Sequence, residues 1–197
     1  MSIVHTSTET EATGAIAAAY AADRTALGYV PSHTKVLAMN PEAFDAWKTL
    51  QSSIAKSMGM RRYELVTLAA ALGIGSRHCR LAHGQKALKY IAEEKLVPIA
   101  ANYHDAGLDL AEVAMMDFAV KLSTDSVNMS EADSQILRDV GFNDREIVDI
   151  ALAAAARNYL SRILQALAVD IDVPPELSEE MRAALLDPLP SVEPRTA

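Results

Sequence analysis

The stretch ELVTLAAALGIGSRHCRLAHG, residues 64–84, joins two helical patterns across a pair of glycines. Residues 61–72 are apolar on nearly every face, which is typical of a helix buried at the centre of a protein. Gly73 and Gly75 then interrupt the pattern, and a second helix is predicted to start at Ser76. Because glycine allows a sharp reversal of the chain, the two helices are expected to fold back on each other.

The remainder of the chain also predicts an all-α protein. Alanine, leucine and methionine are abundant, aromatic residues make up only 5%, and alternation of β-branched residues is nearly absent. Asn40 before Pro41 has the pattern of an N-cap followed by proline at the first helical position. Helices are predicted at 10–26, 31–39, 41–58, 61–72, 76–94, 96–104, 109–123, 130–139, 143–168 and 176–187, followed by an extended tail over 188–197.

The chain resembles itself at a separation of 82 residues, where ELVTLA (64–69) matches EIVDIA (146–151). The apolar pattern of the second copy continues without a thiol or an imidazole, so such a helix does not need those groups for packing. At the same separation, Ser76 aligns with Asn158, Cys79 with Ser161 and His83 with Gln165.

We therefore predict one domain over residues 1–197, built from a duplicated helical unit. The first half, at about 10–95, carries the thiol and imidazoles, and the degenerate second half covers about 105–172. Residues 173–197 are predicted to form a C-terminal helix and the tail.

The bulk composition excludes several classes of protein. The net charge of −8 leaves no basic surface for nucleic acid or for an anionic membrane. The first residues lack the pattern of a signal peptide, and no apolar run approaches the roughly 20 residues of a membrane span. One cysteine cannot form an intrachain disulfide, which is typical of the reducing cytoplasm, where we expect the protein to be located.

Cys79, the single cysteine, is predicted to lie in the first turn of its helix, with Ser76 as the N-cap. The free N–H groups and the dipole at a helix start favour the thiolate, which is the reactive form of cysteine. His83 lies on the same face four residues on, whereas His78 is expected to point elsewhere, toward the preceding helix. The alternative is that Cys79 is a small buried hydrophobe and Ser76 only a cap.

Glu64 lies early in an otherwise apolar helix, where a carboxylate has to be solvated, paired or protonated. Because the following helix folds back, Glu64 can approach Cys79 or His83 and take part in proton transfer. Alternatively it only offsets the helix dipole, as its counterpart Glu146 suggests.

The pattern predicts neither a metal nor a cofactor. Cys79 and His83 supply two of the four ligands that zinc requires. His33 and His104 are further candidates, but their spacing in the sequence does not indicate a site.

The segment 64–83 resembles the AhpD-like, carboxymuconolactone decarboxylase superfamily. Redox members of that family carry a glutamate, eleven residues, Cys-x-x-Cys and a histidine four residues on, often with a histidine directly before the second cysteine. Glu64, His78, Cys79 and His83 match this pattern. Segments 28–47 and 117–170 are similar to the peroxidase-related branch, so that the resemblance covers about 15–172 and implies the AhpD-like helical fold.

The departure from the family pattern is Ser76, which occupies the position of the first cysteine. The resemblance implies a thiol peroxidase acting on an organic hydroperoxide or hydrogen peroxide, with Cys79 as the nucleophile. Since Ser76 cannot close a disulfide, the oxidised Cys79 has to be reduced by an external thiol. In this reaction Glu64 relays a proton through His83 or water, Ser76 bonds the thiolate or the peroxide, and His78 supports the relay. The family also implies a homo-oligomer, a dimer, trimer or hexamer.

Two alternatives belong to other functional classes. The first is a non-redox lactone decarboxylase or isomerase, with His83 or His78 as the acid–base group and Glu64 orienting it. The second is a non-catalytic helical oligomer that binds a small ligand or a partner.

Overall fold

A computed structural model describes residues 2–190 of the chain. All regular elements within this range are helical, which confirms the all-α prediction. No helix of the described range is both long and apolar enough to cross a membrane. The α-helices are α1 (Gly14–Leu27), α2 (Ser32–Leu37), α3 (Pro41–Met58), α4 (Met60–Gly73), α5 (Arg77–Ala87), α6 (Glu93–Asn102), α7 (Leu110–Asp125), α8 (Glu131–Asp139), α9 (Asp144–Ala166) and α10 (Glu179–Leu186).

Helix α4 lies at the centre of the protein and packs against α5, α7 and α9. Its residues from Tyr63 to Ala71 are all buried, so the helix faces protein on every side. This confirms the prediction from its apolar sequence. Since α4 carries Glu64 and α5 carries Cys79, the core of the fold also positions the candidate site.

The chain reverses between α4 and α5 at two glycines that are needed for different reasons. Gly75 has φ +69°, the left-handed region that favours glycine. Gly73 lies against α7, where a Cβ atom would be 3.0 Å from the carbonyl oxygen of Val120. As predicted, α5 therefore folds back onto α4.

The start of α3 was predicted correctly, but the start of α1 was not. Asn40 caps α3 with its side chain, and Pro41 is the first helical residue. Helix α1 begins at Gly14 rather than at residue 10. Before it, the Glu11 carboxylate accepts hydrogen bonds from the backbone N–H and the hydroxyl of Thr8, which forms a local turn in place of helix.

The prediction of one helix over 76–94 was wrong. Helix α5 ends at Ala87, after which the backbone makes turn bonds and places Ile91 in the core. Glu93 and Glu94 form the first turn of α6, where the helix dipole favours negative charge. The acidic pair therefore marks the start of a helix and not the end of one.

At the C-terminus, α10 packs on α5 and α6. The buried guanidinium of Arg80 joins these helices by donating hydrogen bonds to three carbonyl oxygens, those of Leu185, Ala184 and Ala100. The predicted extended tail over 188–197 is wrong at its start, because Leu189 is buried against the protein. Residues 191–197 lie outside the described residues.

Candidate functional site

Cys79 lies in the first turn of α5, and Ser76 is the N-cap of this helix. The Ser76 hydroxyl oxygen accepts a hydrogen bond from the backbone N–H of Cys79 at 3.3 Å, which confirms the predicted cap. Cys79 is only 1% exposed, but it lines a cavity of about 290 Å³. A reactant therefore reaches this residue by entering the cavity.

Two side chains of α9 contact the sulfur, and neither was predicted as a site residue. The Ser161 hydroxyl donates a hydrogen bond to Cys79 Sγ at 3.2 Å, and Arg157 Nη1 donates at 3.6 Å. The internal repeat, which aligns Ser161 with Cys79, was the one sequence signal for Ser161. Arg157 follows the apolar run ALAAAA, which places a charge in an apolar helix, but the sequence does not indicate the partner of that charge.

Arg157 brings a positive charge to the buried sulfur. Its side chain is 2% exposed, and burial by itself lowers the pKa of Arg157. The neighbouring Cys79 and Tyr63 raise this pKa, so that the net direction is upward and the guanidinium stays charged. Arg157 therefore directs a positive charge, and Ser161 a hydroxyl donor, at the Cys79 sulfur.

Glu64 and His83 form a buried pair beside the cavity. His83 Nδ1 and Glu64 Oε2 are 2.6 Å apart, and the two side chains are 2% and 1% exposed. Burial raises the pKa of Glu64 to about 7, although Lys86 and Arg157 act in the opposite direction. Burial lowers the pKa of His83 well below 6.5, and Arg157 adds to this effect. Burial therefore favours the uncharged carboxyl and the uncharged imidazole, which places a proton between the oxygen and the nitrogen.

The hydrogen-bond partner of His78 does not lie in the preceding helix, toward which this side chain was predicted to point. Its Nε2 lies 3.2 Å from Nδ1 of His33, which belongs to α2. Asp172, from the segment after α9, lies beside the two rings. No hydrogen bond within residues 2–190 joins His78 to the Glu64–His83 pair or to Cys79.

Three of the predicted site residues, Cys79, His78 and His83, meet at the same cavity. Glu64 joins them through His83 and also lines an adjoining cavity of about 730 Å³. Ser76 caps the helix and does not line the first cavity. The remaining wall is largely apolar and includes Phe44, Trp47, Leu160 and Leu164.

Sequence comparison finds no matching protein-family profile and no matching curated protein. Solved structures do match. An uncharacterised peroxidase-related protein from Ralstonia eutropha JMP134, an alkylhydroperoxidase AhpD core, has a TM-score of 0.77 and 22% identity, over 93% of this chain and 96% of that chain. An uncharacterised peroxidase-related protein from Silicibacter sp. TM1040 has a TM-score of 0.71 and 27% identity, over 78% of this chain and 82% of that chain.

A cysteine-to-alanine variant of the debrominase Bmp8, in complex with 2,3,4-tribromopyrrole, has a TM-score of 0.72 and 17% identity, over 95% of this chain and 100% of that chain. These likenesses show that the chain has the AhpD-like fold. They are consistent with the resemblance to the AhpD-like superfamily and its peroxidase-related proteins.

Proposed function

We propose that this protein is a thiol-dependent peroxidase in which Cys79 is the nucleophile and an external thiol is the reductant. One observation carries the proposal. The Cys79 sulfur accepts hydrogen bonds from Ser161 and Arg157 at a cavity that the Glu64–His83 pair also reaches. A stabilised thiolate beside a group that holds one transferable proton is the combination that peroxide reduction requires.

In the first step the thiolate of Cys79 attacks the terminal oxygen of a hydroperoxide, ROOH. The S–O bond forms while the O–O bond breaks, and sulfur supplies the electron pair. The Glu64–His83 pair donates its proton to the leaving alkoxide, which departs as ROH, and the pair regains a proton from the reductant thiol in the second step. Cys79 is left as a sulfenic acid.

In the second step an external thiol attacks the sulfenic sulfur and releases water, which gives a mixed disulfide. A second thiol then displaces Cys79 and leaves as the disulfide of the reductant. No internal disulfide can form, because Cys79 is the single cysteine of the chain. Since Cys79 is 1% exposed, the reductant has to enter the cavity, which favours a small-molecule thiol over a protein thiol.

The cavity also bears on the substrate. Its volume of about 290 Å³ limits the substrate to a small organic molecule. Phe44, Trp47 and Leu160 supply apolar surface for an organic group next to the sulfur. This wall favours an alkyl or aryl hydroperoxide over hydrogen peroxide.

The other two predicted site residues have supporting roles in this proposal. Ser76 orients the Cys79 backbone through its capping bond, and its predicted bond to the peroxide stays a prediction. His78 contributes to the cavity wall, but its contact with His33 leaves it outside the proton path.

A second candidate function is an acid–base lyase or isomerase acting on a lactone acid. The Glu64–His83 pair favours it, because this pair can transfer a proton within the cavity without the sulfur. The peroxidase is preferred, since the lyase leaves the Arg157 and Ser161 contacts with Cys79 unexplained.

The deciding experiment measures intact mass after reduced protein is mixed with a near-stoichiometric aryl hydroperoxide and a sulfenic-acid trap. Wild type is expected to gain one trapped oxidation, and Cys79→Ser none. Protein whose thiol has been alkylated beforehand is the matched control. 2,3,4-Tribromopyrrole is tested in parallel, because the debrominase variant binds it. An unreactive thiol, with lactone turnover that is equal in wild type and Cys79→Ser, would contradict the peroxidase and support the lyase.

A further inference from the structure

His33, His78 and Asp172 form a second cluster that the proposed peroxide reaction does not use. One ligand atom from each lies within 4.8 Å of the others, and the two imidazole nitrogens that face each other are 3.2 Å apart. The three residues come from α2, from α5 and from the segment that follows α9. Packing therefore brings together three groups that are far apart in the sequence.

The donor set is one that binds divalent transition metals, and its atoms are close enough together to contact one ion. Two imidazole nitrogens and one carboxylate oxygen bind zinc in catalytic sites and iron(II) in facial sites. Two nitrogens on a tetrahedral zinc lie about 3.3 Å apart, given bonds of about 2.0–2.1 Å. The His33 and His78 nitrogens are already at this separation.

Metal binding needs a free electron pair on each ring nitrogen. His33 and His78 face each other through Nδ1 and Nε2, so that one ion can contact both rings from the cavity that they line. Arg157 lines the same cavity, and its positive charge opposes a bound cation.

A supporting residue orients the carboxylate. The backbone N–H and the hydroxyl of Ser32 donate hydrogen bonds to the two oxygens of Asp172, at 2.7 and 2.8 Å. Such outer contacts fix the orientation of ligands in metal sites. Each oxygen keeps a further electron pair for an ion.

We propose that His33, His78 and Asp172 bind one divalent first-row transition-metal ion. All three residues line the cavity that contains Cys79, so the remaining coordination position of the ion is directed to that cavity. A site with three protein ligands and an open position holds water or a substrate atom there. The site does not include the thiol.

The test is a calorimetric titration of chelator-treated full-length protein with zinc. One equivalent is expected to bind to wild type and to Cys79→Ser. His33→Ala and Asp172→Asn should weaken binding by about a hundredfold or more, and Ser32→Ala by about tenfold to a hundredfold. His104→Ala is the matched control, because His104 also lies near a carboxylate, with its Nε2 2.8 Å from Asp117, but on an exposed surface. This variant should bind as wild type does.

Circular dichroism establishes that each variant is folded. If the ligand variants do not fold, the absorption spectrum of wild type loaded with cobalt(II) tests the proposed coordination instead. A tetrahedral or five-coordinate spectrum without a sulfur charge-transfer band supports the site. Loss of binding in Cys79→Ser, such a sulfur band, or binding that is unchanged in folded His33→Ala would overturn the proposal. Absence of any bound ion would mean that the two histidines only form a hydrogen bond.

Discussion

The two segments that match at a separation of 82 residues have different shapes. In the first segment α4 and α5 are separate helices, because Gly73 and Gly75 allow the chain to reverse. In the second, Ala155 and Arg157 stand at the equivalent positions, and α9 continues without a break for 23 residues. The two glycines are therefore the main local difference between a hairpin of helices and a single helix.

This difference decides what the equivalent carboxylates can do. Glu64 and His83 are 19 residues apart and meet at 2.6 Å, because their helices fold onto each other. Their counterparts, Glu146 and Gln165, lie on one helix, where the same separation spans about 28 Å. Glu146 instead caps its own helix by accepting the backbone N–H of Asn143.

The second segment also supports the first. Ser161 and Arg157 contact the Cys79 sulfur, and Gln165 donates hydrogen bonds to the carbonyl oxygens of Ile74 and Gly75 at the helix break. One segment therefore carries the proposed reactive groups, while the other contacts them. The following predictions test this division.

The largest expected effect distinguishes the two glutamates. Glu64→Gln should lower the rate of Cys79 oxidation by about 10²- to 10⁴-fold, because the buried pair can no longer exchange its proton. Glu146→Gln should leave the rate unchanged, since glutamine keeps the capping bond and only the exposed ion pair with Arg62 is lost. Stopped-flow peroxide kinetics measure both. Equal rates for the two variants would contradict the role of the pair.

The second prediction concerns the dependence of stability on pH. In His83→Gln, Glu64 keeps a raised pKa of about 7, against an ordinary value of 4.5. The contribution of Glu64 to the free energy of unfolding is therefore present at low pH and is lost as the pH rises from about 4.5 to 7. In Glu64→Gln, only the lowered pKa of His83 remains. The contribution of His83 to the free energy of unfolding is present above pH 6.5 and is lost as the pH falls below that value. As the pH rises, the free energy of unfolding should therefore fall in His83→Gln and rise in Glu64→Gln.

In each variant the slope of the free energy of unfolding against pH approaches about 1.4 kcal/mol per pH unit. In wild type the two opposite slopes nearly cancel between about pH 4.5 and pH 6.5. Denaturant titrations at several pH values across this interval measure the slopes. Parallel slopes in the two variants would show that the pair does not share one proton.

The third prediction tests the support that α9 gives to the sulfur. Arg157→Gln removes a charge-assisted hydrogen bond worth about 1.5–3 kcal/mol, so alkylation of Cys79 at neutral pH should slow by about tenfold to a hundredfold. Arg62→Gln is the control, because this arginine is exposed and pairs with Glu146 at the surface. A folded Arg157→Gln protein with the alkylation rate of wild type would rule out thiolate stabilisation by Arg157.

The smallest expected effect concerns the glycine break between α4 and α5. Gly73→Ala should destabilise the protein by about 1–3 kcal/mol, because the new Cβ meets the Val120 carbonyl oxygen at 3.0 Å. Ala155→Gly, the reverse change at the exposed equivalent position of α9, should cost about 1 kcal/mol through helix propensity alone. Denaturant unfolding measures both. A neutral Gly73→Ala substitution would mean that α4 and α7 can separate at no cost.

Much of the fold could be predicted from short stretches of the sequence. The Asn40–Pro41 helix start, the Ser76 cap, the glycine break and the buried character of α4 were all predicted correctly. The wrongly predicted helix over 76–94 also had a local signal, since acidic residues favour a helix start. The proximity of Glu64 to His83 followed from the break between their helices.

Local signals suffice in these cases because caps, glycines and helical periodicity act over a few residues. The contacts of Arg157 with the sulfur and of His78 with His33 and Asp172 had no such signal. They join helices and a connecting segment from distant parts of the chain, and their distances depend on how α2, α5 and α9 pack. The spacing of residues does not encode that packing, because it results from the burial of many apolar side chains at once.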